Sequence, residues 1–166
     1  TVFIFLTLIL NIIMQKYFLP KIHRWYYNNK DEFIKFFRKI PIIVLFFSLF
    51  ISIIVFLFSE KIIILLFGLN YTSSIILLKY FALLLPFRYL VITYGTALST
   101  EEHYIKKTSI YLKSCLFFVP SCTILSYYFN YQGVFISLIV TEIYLLVSYY
   151  IYYNKIIFKK LVNLKN

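Results

Sequence analysis

Five long apolar stretches dominate this sequence and constrain its fold more than any other feature. They lie at about 2–19, 41–58, 75–98, 110–129 and 133–153. Each is long enough to cross a hydrocarbon layer of about 30 Å as a helix that rises about 1.5 Å per residue. Membrane strands would instead need segments of about ten residues with alternating polarity. We therefore predict an all-α fold, a polytopic transmembrane helix bundle with about five spans.

The balance of apolar and charged residues excludes a soluble globule. Hydrophobic residues make up 62% of the chain and charged residues 14%, whereas a soluble domain has about 25% charged residues. A small domain exposes much of its surface, so it could not bury this many large apolar side chains. The net charge of +11 does not indicate a nucleic-acid partner, because the basic residues lie in the gaps between the apolar stretches. The expected partner is the lipid bilayer.

The distribution of lysine and arginine predicts the orientation of the spans, because short loops rich in these residues stay in the cytoplasm. From Lys16 to Lys39 the first gap holds seven basic residues, whereas the second gap has one and the fourth has none. We therefore expect the loops 20–40 and 99–109 and the C-terminal tail to be cytoplasmic. Within the first loop, residues 28–39 are typical of an amphipathic helix that lies on the membrane surface.

Three charged residues lie inside apolar stretches, where a charge costs about 2.5–3.5 kcal/mol at the centre of a membrane helix. Lys79 and Arg88 fall in the third stretch and Glu142 falls in the fifth. Arg88 and Glu142 lie at similar depths, each about 15 Å from the predicted cytoplasmic end of its helix. Charges at such depths line a polar cavity or pair with each other.

Two interpretations of these charges stay open. In the first, Arg88 and Lys79 neutralise an anionic substrate in a polar lumen, and Glu142 holds a cation or orients Arg88. In the second, Arg88 and Glu142 form an ion pair that only fixes helix packing, and the Lys79 ammonium reaches the outer head groups on its flexible stem. The first interpretation makes these three residues the candidate substrate-binding site.

The sequence indicates neither catalysis nor a cofactor. His23 and His103 lie in separate loops without clustered carboxylates or thiols, so no metal site is expected. Cys115 and Cys122 are about 10 Å apart along one helix, beyond the reach of a disulfide bond. The sequence has no nucleophile beside a base and no glycine-rich phosphate loop. We therefore do not expect an enzyme.

Several short motifs, read in order, resemble the C-terminal half of a transporter family. A basic aromatic segment follows the first span at 18–26, and the second span leads to an F-G-x-x-Y turn within 64–71. The fifth span opens with Y-Q-G-V-F-I-S at 131–137 and continues to Thr141 and Glu142. In this order and spacing the motifs resemble the Wzx-type polysaccharide flippases, in the superfamily of multidrug, oligosaccharidyl-lipid and polysaccharide exporters.

The resemblance implies that residues 1–166 form the C-terminal lobe of a two-lobed transporter. Because the chain begins at Thr1 within an apolar run, we expect the N-terminal part to be missing. The implied function is to move an undecaprenyl-diphosphate-linked oligosaccharide, an O-antigen or capsule repeat unit, across the bacterial inner membrane. The implied partners are this lipid-linked oligosaccharide, the bilayer and other polysaccharide assembly proteins, and a coupling cation is left open.

Two alternatives make different demands on the chain. A cation-coupled multidrug exporter of the same superfamily should have a more acidic lumen than one with Lys79, Arg88 and Glu142. A membrane-embedded glycosyltransferase or polymerase should carry catalytic groups in a sizeable outer loop, whereas the predicted outer loops are short and nearly uncharged. The flippase is therefore the preferred prediction.

Overall fold

Helices make up nearly all of the protein in the computed structural model, which describes residues 2–99 and 103–154. In chain order the elements are α1 (Val2–Ile13), a π-helical turn (Met14–Phe18), α2 (Leu19–Asn28), α3 (Lys30–Leu57), α4 (Ser59–Phe67), a 3₁₀ turn (Leu69–Tyr71), α5 (Ser74–Ala97) and α6 (Tyr104–Tyr152). No strand occurs in the described ranges, so the predicted all-α fold is confirmed for them. The predicted cytoplasmic tail from Lys155 onward and residues 100–102 lie outside the described residues.

Four helices in the described part of the chain are long and apolar enough to cross a membrane, namely Val2–Asn28, Asp31–Leu57, Ser74–Ala97 and Tyr104–Tyr152. The first of these combines α1, the π-helical turn and α2. The protein therefore has the helices of a multi-pass membrane protein. α6 has 49 residues, so it would extend about 73 Å if straight, more than twice the thickness of a hydrocarbon layer of about 30 Å.

α6 is not straight, because the chain turns back at Asn130. This residue has φ 51° and ψ −133°, which are not helical values, and it separates an arm at 104–129 from an arm at 131–152. Phe118 and Thr141 line the same cavity, although a straight helix would hold them about 35 Å apart. The two arms are therefore antiparallel, and the fourth and fifth predicted spans fall on them.

The turn between the arms is tight because a glycine allows direct backbone contact. Gly133 lies against the backbone of Leu125, and a Cβ atom at Gly133 would overlap the Leu125 carbonyl group. Asn130 has a positive φ, and asparagine is several-fold enriched among the few non-glycine residues with a positive φ. The two arms therefore approach each other closely at this end.

α5 is the central helix and packs against α1, α3 and α6. Buried positions recur every three or four residues along α3, at Phe33, Phe37, Pro41, Val44, Ser48, Ser52 and Val55. The Ser52 hydroxyl donates a hydrogen bond to the carbonyl of Ala82 in α5, at 2.7 Å. Small residues such as serine let membrane helices approach closely. The close pairing of α3 with α5 fixes the helix that carries Arg88.

The predicted cytoplasmic loop 20–40 is helical on both sides of Asn29. The surface helix expected over 28–39 is instead the start of α3, and the Asn29 side chain caps this helix with a hydrogen bond of 3.4 Å. The apolar face of the segment is buried in the bundle, where the Phe33 and Tyr26 ring centroids are 5.6 Å apart. The prediction of a separate surface helix was wrong because this face packs against protein rather than lipid.

Candidate functional site

Arg88 and Glu142 face each other near the middle of their helices. Arg88 Nη1 donates a hydrogen bond to Glu142 Oε1 at 2.9 Å, a distance typical of charge-assisted bonds. α5 supplies the arginine, and the second arm of α6 supplies the glutamate. The structure therefore brings together two of the three predicted site residues.

The two partners of this ion pair differ in exposure. The Arg88 side chain is 35% exposed and the Glu142 side chain is 13% exposed. Glu142 Oε2 is buried, and no hydrogen-bond donor reaches it from the described part of the chain. A buried acceptor without a partner costs about 1–3 kcal/mol, and a charged one costs more. Only one of the two carboxylate oxygens of Glu142 therefore accepts a hydrogen bond from the described residues.

Arg88 keeps donor capacity beyond the ion pair. A guanidinium carries several N–H donors in a fixed, planar fork. Within residues 2–99 and 103–154, the bond to Glu142 is the one that Arg88 makes. The other donors can bind phosphate or carboxylate oxygens in pairs. Arg88 can therefore bind an anion without first leaving Glu142.

The ion pair borders a cavity of about 430 Å³. This volume falls within the range of about 300–1,000 Å³ found for small-molecule sites. The wall is built by α1, α5 and both arms of α6, with polar groups from Thr7, Asn11, Tyr111, Ser114 and Thr141. Apolar side chains complete the wall. The cavity therefore combines one charged pair with uncharged hydrogen-bonding groups.

Lys79 does not line this cavity. It precedes Arg88 by nine residues on α5, which is about two and a half helical turns, so the two side chains leave opposite faces of the helix. The Lys79 ammonium lies 5.7 Å from the ring centroid of Phe56. It borders a separate cavity of about 720 Å³ together with Thr72, Ser73 and Tyr131. The structure therefore does not bring Lys79 to the Arg88–Glu142 pair.

Sequence reasoning did not identify several residues of the cavity wall, among them Thr7, Asn11 and Tyr111. A signal exists for the first two, because with Gln15 they recur every four residues in an apolar run and so share one helix face. No comparable signal marks Tyr111. Tyr111 lies in the same cavity wall as the ion pair because of the way the helices pack. A single sequence does not show which helices are neighbours.

The histidines lie away from the cavity. His103 is buried at the predicted cytoplasmic end, with Nε2 3.3 Å from the Tyr26 hydroxyl and Nδ1 3.1 Å from the Tyr152 hydroxyl. Across the described ranges, no three His, Cys, Asp or Glu side chains cluster as metal ligands. Cys115, a free thiol, lines the cavity as a small side chain. The distinctive chemistry of the cavity is therefore that of the ion pair.

No protein-family model, curated protein or solved structure matches the chain.

Proposed function

We propose that this chain is the C-terminal lobe of a flippase that moves an undecaprenyl-diphosphate-linked oligosaccharide across the bacterial inner membrane. One observation carries the proposal: a guanidinium with unused donors borders a cavity at the middle of an apolar helix bundle. Charges at this depth usually line a substrate pathway or pair with each other, and Arg88 both pairs with Glu142 and borders the cavity. The order of motifs that resembles the Wzx-type flippases supports the same function.

The substrate has parts that need different surroundings. The diphosphate must leave water to cross the hydrocarbon layer, and hydrogen bonds from the Arg88 fork offset part of that cost. The prenyl tail is as apolar as lipid and stays in the bilayer. Glu142 already neutralises much of the charge of the same guanidinium, which limits how tightly the anion is held and so favours its release.

The proposed location places the loops 20–40 and 99–109 and the C-terminal tail in the cytoplasm. The excess of lysine and arginine in these segments supports this orientation. A second lobe would complete the central cavity, as in other two-lobed transporters. Other polysaccharide assembly proteins would supply the substrate and remove it.

Cysteine labelling tests the proposed orientation. In a variant without Cys115 and Cys122, a cysteine in place of Lys30 should react with a membrane-impermeant reagent only from the cytoplasmic side. A cysteine in place of Asn70 should react only from the outside. Labelling of both positions from the same side would refute the topology.

Substitution of Arg88 in the full-length protein tests its role. Arg88→Ala should abolish surface polysaccharide while the protein level stays near normal. Arg88→Lys should keep part of the activity, because the charge remains but the fork of donors is lost. Lys113→Ala is the matched control, since it removes an exposed cation that does not line the cavity, and it should leave transport unchanged.

A double variant separates substrate binding from a purely structural ion pair. If Arg88 only pairs with Glu142, each single change leaves one buried charge without its partner and lowers the amount of folded protein. Arg88→Ala combined with Glu142→Ala should then restore protein level and transport, and that result would reject the substrate role. Loss of transport at a normal protein level would support it.

A cation-coupled multidrug exporter of the same superfamily is the second candidate. It is favoured by the buried Glu142 Oε2 atom, which no donor in the described ranges reaches. A carboxylate oxygen in this situation can take up a proton or bind a metal cation. Export of a cationic dye driven by a proton or sodium gradient, and abolished by Glu142→Gln, would favour this candidate over the flippase.

A further inference from the structure

Three uncharged polar residues lie in a row along the first membrane-crossing helix. Thr7 and Asn11 interrupt an otherwise apolar run from Val2 to Met14, and Gln15 follows that run, so the three residues recur every four positions. Four residues advance a helix by about 40° more than one full turn, so the three side chains share one face. We call Thr7, Asn11 and Gln15 the polar stripe.

The hydrogen bonds of the polar stripe stay within its own helix. Thr7 Oγ1 donates to the Ile4 carbonyl at 2.9 Å, and Gln15 Nε2 donates to Asn11 Oδ1 at 3.1 Å. In the part of the chain that the structure describes, neither the Asn11 amide nitrogen nor the Gln15 amide oxygen has a hydrogen-bond partner. Polar side chains in membrane helices often join two helices, but no described helix supplies a partner here. The polar stripe therefore offers unused amide groups.

The polar stripe borders the cavity that contains Arg88. Thr7 and Asn11 line this cavity, and Ser114 and Thr141 line it from the two arms of α6. Both of these hydroxyls donate to carbonyl groups of their own arm, which leaves their oxygens free to accept. The cavity thus presents uncharged donors and acceptors beside one guanidinium.

A proline accounts for the irregular helical turn that contains Gln15. Pro20 has no N–H, and its ring would clash with the carbonyl four residues earlier in a regular helix. The preceding segment Met14–Phe18 forms a wider π-helical turn instead, and the Leu19 N–H bonds to the Met14 carbonyl. Such turns are rare and are frequent at functional sites. Gln15 lies in this turn and is exposed, so the polar stripe runs from the cavity toward the predicted cytoplasmic end.

We propose that the polar stripe binds the uncharged, hydroxyl-rich head group of the substrate, a carbohydrate, while Arg88 binds the diphosphate. This inference rests on the proposed function and assigns a part of the substrate to each wall of the cavity. Amide groups pair with sugar hydroxyls as both donors and acceptors, and the polar stripe carries no charge that would call for a charged ligand. A site built to bond a hydroxyl discriminates strongly against an analogue that lacks it.

Two dye-labelled lipids separate the head group from the diphosphate. Both carry a polyprenyl diphosphate, and only one of them ends in a disaccharide. In proteoliposomes with the full-length protein, Asn11→Leu and Gln15→Leu should slow translocation of the disaccharide lipid about five- to tenfold and leave the sugar-free lipid unchanged. Arg88→Ala should slow both lipids. Equal losses for the two lipids in the Asn11 and Gln15 variants would overturn the inference.

The matched control for these substitutions is Ile12→Leu. Ile12 is exposed on α1 and does not line the cavity, so this change should leave the translocation of both lipids unaltered. A slowing of the disaccharide lipid by Ile12→Leu as large as that by Asn11→Leu would mean that α1 is sensitive to any substitution. That result would also overturn the inference.

Protection of a cysteine gives a second measurement that does not depend on transport. In a variant without Cys115 and Cys122, Asn11→Cys should react with a water-soluble thiol reagent, and the disaccharide lipid should slow this reaction more than the sugar-free lipid does. Ile12→Cys should react slowly with or without either lipid.

The two measurements distinguish failure of the inference from failure of the proposed function. Sugar-dependent protection of Asn11→Cys without translocation would keep the inference and reject the flippase. Translocation without sugar-dependent protection would overturn the inference and keep the flippase. A cysteine at Asn11 that never reacts, as expected if another protein segment covers the polar stripe, would also overturn the inference.

Discussion

Two regions of the bundle treat polar groups in opposite ways. At the predicted cytoplasmic end, large buried side chains pack together, and we call this the aromatic cluster: Tyr26, Phe33, Phe37, Tyr149 and Tyr153. Its polar neighbour His103 has a tyrosine hydroxyl within hydrogen-bond distance of each ring nitrogen. The Arg88–Glu142 cavity lies nearer the middle of α5. It instead has open volume and a buried carboxylate oxygen that no described donor reaches.

This difference separates a region that holds helices together from a region that has room for a ligand. Filling a void brings side chains into van der Waals contact, and such packing is a main contribution to holding helices together in lipid. The aromatic cluster follows this rule, with side chains from α2, α3 and α6 in contact. The cavity does not follow this rule, because it holds a charged pair and a volume that no side chain fills. We infer that the aromatic cluster is structural and that the cavity is the functional region.

The largest expected effect is the loss of one ring from the aromatic cluster. Phe33 is fully buried, so Phe33→Ala should lower the free energy of unfolding by about 3–5 kcal/mol. Phe46→Ala on the same helix is the matched control. Phe46 is 69% exposed, so this change should lower the free energy of unfolding much less. Thermal unfolding of the detergent-solubilised protein measures both. Equal losses would break the distinction between the aromatic cluster and the rest of the bundle.

A smaller effect is expected from Glu142→Gln. The amide oxygen can still accept from Arg88, but the guanidinium loses its counter-charge, so the free energy of unfolding should fall by about 1–3 kcal/mol. Glu60→Gln is the control, because Glu60 is exposed and outside the cavity, and it should be nearly neutral. The same thermal assay applies. A loss larger than that of Phe33→Ala would show that the ion pair, rather than the aromatic cluster, is the main support of the fold.

The smallest expected effect is the loss of one hydroxyl beside the aromatic cluster. Tyr26→Phe keeps the ring but removes the group that lies 3.3 Å from His103 Nε2, which should cost about 1 kcal/mol. The neighbouring Tyr27 is 52% exposed, so Tyr27→Phe should leave the unfolding temperature unchanged. If the two variants unfold at the same temperature, the contact with His103 adds nothing to the stability of this end.

Properties set by short stretches of chain could be predicted from the sequence, and properties set by distant partners could not. The apolar stretch 75–98 differs by one position from the helix Ser74–Ala97, because length and hydropathy are local. The stretch 28–39 also has the expected helical amphipathicity. Whether its apolar face meets lipid or protein depends on partners such as Tyr153, whose ring centroid lies 5.6 Å from that of Phe37.

The candidate site shows the same division. Arg88 and Glu142 could be matched by depth, because the axial rise of a helix is known. Its charge alone groups Lys79 with them, whereas the helical angle between Lys79 and Arg88 sends the Lys79 side chain to the opposite face of α5. The place of Asn11 beside Arg88 depends on the packing of α1 against α5, which no periodicity in either helix encodes.

The separation of Arg88 and Glu142 in the chain also sets an order of events during biosynthesis. The two residues are 54 positions apart, which corresponds to about 3–11 seconds of synthesis at about 5–20 residues per second. When α5 inserts as soon as it is synthesised, the guanidinium enters the bilayer without its carboxylate, at a cost of about 2.5–3.5 kcal/mol on insertion scales. The apolar residues of α5 have to offset that cost until the two arms of α6 have been inserted. Formation of the ion pair therefore marks the completion of the described bundle.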